Sequence, residues 1–152
     1  WRWFRGGAGG EVEPPAPAPA PAPAPENSAT VPPMPFDHER LDVYQLALDF
    51  IVFADDLVEH LPRGRGHLAD QLARAATSIV LNLAEGAGKY SGPDQRRYFL
   101  SALGSTTESA AILDICLRLK LLDEAVHRTG KEMLDRVCAM LTKLAQRHER
   151  SR

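Results

Sequence analysis

The chain has 152 residues, 44% hydrophobic and 25% charged, with a formal net charge of −2. That length suits one domain whose core needs neither disulfide nor metal, and the near-neutral balance gives no global charge signal for nucleic acid. No apolar stretch reaches the roughly 18 residues of a membrane span, so no membrane insertion is expected.

From Pro14 to Pro25 proline and alanine alternate almost strictly. Proline fixes φ and removes a backbone donor, so this run favours an extended polyproline II spacer. With Gly6, Gly7, Gly9 and Gly10 before it and a polar, proline-ended stretch after it, residues 1–35 are predicted to be a disordered leader. Residues 36–152 are then the folded part. Subtracting the leader's two arginines and three glutamates leaves 16 basic against 17 acidic side chains in that part.

After Pro35 the pattern turns helical. Asp37 is expected to cap a first helix whose apolar stripe is Leu41, Tyr44, Leu48, Ile51, Val52, Val58 and Leu61, stopped by Pro62. The glycines of 63–66 mark a turn. A second stripe, Leu68, Leu72, Ala75, Ala76, Ile79, Val80 and Leu83, runs to Gly86 or Gly88, where glycine would suit a left-handed cap. Ser91 is the expected cap of a third helix, with Pro93 tolerated in its first turn and Leu121 and Leu122 near its end. Asp123 begins a fourth, with Val126, Met133, Val137, Met140, Leu141 and Leu144 inward and a basic tail beyond Arg147. Each helix should span about 22 to 27 residues, or roughly 35 to 40 Å. Similar lengths and short links predict an all-α fold, an antiparallel up-down-up-down four-helix bundle. Cys116 and Cys138 fall inside apolar helical patterns, which points to reduced core thiols and a cytoplasmic setting.

The run QLARAATSIVLNLAEGAGK at 71–89, the Tyr98-Phe99 pair and the Gly104 to Glu108 segment GSTTE carry a likeness. The chain resembles the bacterial four-helix-bundle proteins encoded by intervening sequences in 23S ribosomal RNA genes, relatives of the accessory variability-determinant protein of diversity-generating retroelements. That resemblance implies the bundle fold, a homo-oligomer that is ring-like and pentameric, and no enzymatic activity. It also implies RNA, DNA or a reverse transcriptase as a partner, bound in the retroelement relatives through a strongly basic surface.

Several motif residues have a direct physical reading. Ser78, Asn82 and Glu85 line one face of helix two, and Ser105 and Glu108 lie one turn apart on helix three, so a polar cluster between helices or between subunits is expected. Buried polar groups must be hydrogen-bonded, and such a cluster sets register. Small residues in the middle of helix three, from Ala102 to Ala111, allow either a close helix pair or a seam between subunits. Up-down topology brings the helix two–three link, the start of helix one and the end of helix four to one pole. Lys89, Arg96, Arg97, Lys143, Arg147 and Arg150 collect there as a candidate nucleic-acid site, with Arg152 and His148 nearby, and Asp37, Glu39, Asp94 and Glu149 dilute them. Tyr90 and Tyr98 lie close enough in sequence to offer stacking.

Catalysis has little to stand on. A diiron bundle needs two Glu-x-x-His pairs, and Glu124-Ala-Val-His127 has no second copy. Neither a nucleophile elbow nor a phosphate loop is present. The expectation is a noncatalytic adaptor binding nucleic acid, or an enzyme that works on it, through the basic end. It needs no cofactor, metal or small-molecule substrate. The alternative is a pure protein–protein assembly scaffold.

Overall fold

The computed structural model describes residues 36–148. The predicted disordered leader, Arg150, Arg152 and Glu149 lie outside them. A 3-10 turn, Asp37–Arg40, is followed by α1 (Asp42–His60), α2 (Gly66–Ala87), α3 (Gly92–Arg118) and α4 (Glu124–Arg147). No strand occurs among the described residues.

The directions of the helices follow from residue pairs that meet across them. Between α2 and α3, Ser78 meets Ser105, while Phe99 and Tyr98 crowd Gly86, so numbering rises on one helix as it falls on the other. Between α3 and α4, Asp114 meets His127, Leu113 meets Gly130 and Phe99 meets His148. Between α4 and α1, Gly130 meets Phe53, and the end of α4 lies beside Arg40 to Val43. Each neighbouring pair is therefore antiparallel. Phe50, Leu72, Ile79, Leu83, Leu113 and Leu141 are fully buried between them.

Periodicity accounts for most of this packing. Val43, Leu46, Ala47, Phe50, Ala54 and Leu57 step by three and four along α1 and are buried. Val52 breaks the expected stripe: two residues from both Phe50 and Ala54, it turns about 200° away from the core and is 70% exposed. Cys116 is fully buried, whereas Cys138 is partly exposed.

Ser91 caps α3 as expected, Asp123 supplies a cap where the sequence marks only a helix start, and three other ends differ from expectation. Ser91 Oγ accepts the Asp94 N–H at 3.2 Å, and Asp123 Oδ1 accepts the Val126 N–H at 2.8 Å. Asp37, by contrast, does not cap α1. The backbone breaks at Leu41, which is extended (φ −86°, ψ 118°), so the helix starts at Asp42 and is 19 residues long, shorter than expected. Glu39 instead accepts the Phe36 N–H at 2.9 Å and holds the preceding turn.

Gly88 follows α2 at φ −79°, in the right-handed region, so no left-handed glycine cap forms there. Glycine is required two residues back, where a Cβ on Gly86 would come within 2.8 Å of the Phe99 ring. The left-handed position falls after α3, at Lys120 (φ 57°), and the Leu121 N–H closes onto the Cys116 carbonyl at 2.9 Å. That closure ends α3 at Arg118, before the Leu121-Leu122 pair.

Candidate functional site at the basic pole

The α2–α3 link is short and tightly tied. Gln95 Nε2 donates to the Lys89 carbonyl at 2.9 Å, and the Ser91 cap turns the chain into α3. This link sets Lys89 beside Tyr98. The Lys89 ammonium pairs with Glu85 one turn earlier and lies 5.1 Å from the centre of the Tyr98 ring. The Arg97 guanidinium sits 5.0 Å from the same ring and donates to the Tyr98 hydroxyl at 3.3 Å. The hydrogen bond with Lys89 pulls the Glu85 carboxyl below its usual range, and the same bond raises Lys89, so both stay charged at neutral pH. Glu85 thereby neutralises part of the cationic pole.

The end of α4 reaches the start of α3, where a Cβ on Gly92 would lie 3.6 Å from the His148 carbonyl and the Phe99 and His148 rings stand 5.7 Å apart. Arg96 is half-buried and Arg97 exposed, and Lys143 and Arg147 are exposed on the last turns of α4. The structure thus brings Lys89, Arg96, Arg97, Lys143 and Arg147 to one pole. Arg150 is outside the described residues. Arg40 joins them: with Lys143 and Arg147 it rims a cleft of about 270 Å³ between the start of α1 and the end of α4. Arg40 is absent from the set expected from the sequence, although it belongs to the same turn as Asp37 and Glu39. Tyr90 is fully exposed at the tip of the link.

The polar cluster forms in part. Ser78 Oγ and Ser105 Oγ are 2.8 Å apart, and Asn82 Nδ2 donates to the Ser78 carbonyl at 2.8 Å and to its hydroxyl at 3.1 Å. Glu108 does not join, being exposed on the outer side of α3. The antiparallel register sets Glu85 level with Tyr98, ten residues before Glu108, so the two carboxylates stand roughly 15 Å apart along the bundle and do not face each other. In the small middle of α3, Ala102, Thr106 and Ser109 are buried in the bundle, while Gly104, Thr107 and Ala111 are exposed. An open groove of about 590 Å³ runs along the outer side of this pair, past Leu81, Ser78 and Tyr98.

His127 of the Glu124-Ala-Val-His127 motif is engaged by α3, its Nε2 lying 2.7 Å from Asp114 Oδ1, and Lys131 donates to the other oxygen at 3.1 Å. Asp56 and His60 are an exposed pair on α1, with His60 Nδ1 2.7 Å from the Asp56 carbonyl. No group of three or more metal-ligating side chains gathers among the described residues, and none of their helices is long and apolar enough to cross a membrane.

These features define a four-helix-bundle protein with cations gathered at one pole and a polar seam between its central helices. Residues 39–143 match the pattern of the 23S rRNA-intervening sequence proteins, and the chain belongs to that family. It is also similar to a crystal structure of a protein of unknown function from the S23 ribosomal protein family of Bacteroides thetaiotaomicron, at 20% identity and a TM-score of 0.64, over 68% of this chain and 97% of that one. At that identity the likeness speaks for the fold alone. No curated protein matches.

Proposed function

We infer that the protein is a noncatalytic adaptor that holds nucleic acid, or an enzyme working on it, at its basic pole. The observation that carries this reading is convergence: Arg40, Lys89, Arg96, Arg97, Lys143 and Arg147 come from separate segments and meet at one end. Cations in a last helical turn, such as Arg147, also complement the helix dipole, but Arg96 and Arg97 lie in the second turn of α3, where the dipole gives no reason for a cation. An RNA partner agrees with a family named for 23S rRNA intervening sequences. Labelled RNA should bind at low salt, with log affinity falling linearly against log salt. Replacing Arg96 and Arg97 together by alanine should flatten that slope by roughly 1.4, about 0.7 for each lost phosphate contact on a single strand. Absence of binding at low salt refutes the reading.

A second reading, assembly through exposed positions of α2 and α3, is favoured by apolar side chains left in solvent on those helices: Leu81 is 63% and Ile115 45% exposed. The pentamer implied by the family resemblance would cover such a face. Light scattering that finds a monodisperse monomer at micromolar concentration removes it.

A further inference from the structure

The cleft between the start of α1 and the end of α4 joins two chemistries. Its floor is apolar, formed by Leu41, Val43, Met140 and Leu144, and its rim carries Arg40, Lys143 and Arg147. Asp42 is the one carboxylate among the residues lining it. A phosphate group needs no greasy floor, and an apolar ligand needs no triple cationic rim. At about 270 Å³ the cleft is below the usual range for a drug-sized ligand, so it suits a single ring system more than a helix. A flat apolar ring attached to an anionic backbone is a nucleotide whose base is unpaired. In a duplex that base is stacked and paired, and its faces are not offered; in a single strand they are.

A second feature of the same pole points the same way. Tyr90 presents its whole side chain to solvent next to Lys89, an arrangement that gives a strand a stacking surface. Tyr98 is not equivalent, because Lys89 and Arg97 already lie against its ring.

We propose that the α1–α4 cleft receives an unpaired base of a single-stranded nucleic acid while Arg40, Lys143 and Arg147 hold the adjoining phosphates. The inference rests on the nucleic-acid reading of the pole and sharpens it to unpaired strands.

Fluorescence anisotropy on the full chain tests it with three short labelled ligands of one length: a single strand, the matching duplex and a strand of abasic residues. The single strand should bind roughly ten-fold tighter than the abasic strand, the scale of one stacked base, and tighter than the duplex. Met140→Trp, which fills the cleft, should bring single-strand affinity most of the way down to the abasic level while duplex affinity holds, and Tyr90→Ala should remove only the remainder; a larger loss from Tyr90→Ala than from Met140→Trp places the base on Tyr90 and overturns the cleft proposal. The abasic comparison uses the unaltered protein, so it stands even where Met140→Trp misfolds. Equal affinity for all three ligands overturns the cleft proposal while the charge-based reading survives. No binding of any ligand overturns both. Displacement of the strand by polyglutamate at equal charge makes the cleft a site for acidic peptide and also overturns the proposal.

Discussion

Gly130 lies in the middle of α4, where helix propensity alone favours alanine by about 1 kcal/mol. It is buried, and a Cβ there would come within 2.6 Å of Leu113 Cδ1 on α3 and 2.7 Å of Phe53 Cε1 on α1. Comfortable carbon contacts are about 3.5–4.0 Å, so the neighbours would have to retreat by roughly 1 Å. Leu113 is fully buried and Phe53 partly so, and any shift of either must be taken up by the core around them. Overpacking of this kind costs about 1–3 kcal/mol, which exceeds the propensity gain, so Gly130→Ala should lose roughly 1 kcal/mol net. Gly104, also helical, has nothing within 4 Å of its would-be Cβ. Gly104→Ala should therefore gain about 0.5–1 kcal/mol from propensity. Urea unfolding at one fixed protein concentration checks the pair, with midpoints moving in opposite directions at unchanged slope. A Gly130→Ala midpoint at or above the parent's would refute the packing argument. A loss at Gly104 would mean that something covers that face, as self-assembly through α3 requires.

Two further outcomes follow from the buried thiol and the α3–α4 ion pair. Burial pushes the Cys116 thiol up from its ordinary value, and its side chain is inaccessible, so a thiol reagent at mildly alkaline pH should modify Cys138 first and Cys116 at the rate of unfolding; equal rates in the native protein would contradict the packing. The hydrogen bond from His127, then that from Lys131, holds the Asp114 carboxyl below its usual range. A depressed carboxyl contributes stability above the ordinary carboxylate pKa and loses it as pH falls through the lowered value. Wild type should therefore exceed Asp114→Asn in stability near neutrality and converge with it below about pH 4. Asp114 is 55% exposed, so the difference should stay under about 1 kcal/mol. A gap that persists or widens in acid would show that Asp114 acts otherwise.

Local signals in the chain were readable because they depend on near neighbours. Apolar residues at three- and four-residue spacing place four helices, since one face of a 3.6-residue repeat must leave water. Ser91 was legible as a cap because a short side-chain oxygen reaches a backbone N–H three residues on, and Asp123, read only as the start of the fourth helix, caps it in the same way. Serial order and short links also led to Lys89, Arg96, Arg97, Lys143 and Arg147 at one end, though not to Arg40, and Arg150 lies outside the described residues.

Other features belong to the packed bundle. The left-handed closure falls on Lys120, with no glycine to mark it in the sequence, and shows itself only in the Leu121 N–H that returns to the Cys116 carbonyl. Gly86 and Gly130 look like weak points on an isolated helix and become points of closest approach once Phe99, Leu113 and Phe53 come down on them. Ser105 and Glu108 share a motif, yet one bonds to α2 and the other faces solvent: a step of three leaves a net offset of about 60°, which carries Glu108 past the edge of the α2–α3 contact, and only the packed pair decides where that edge falls. The α1–α4 cleft needs the first and last helices side by side, a relation between residues about 100 positions apart. Period and capping are properties of neighbouring residues, whereas who meets whom across the core depends on how all four helices fill the same volume.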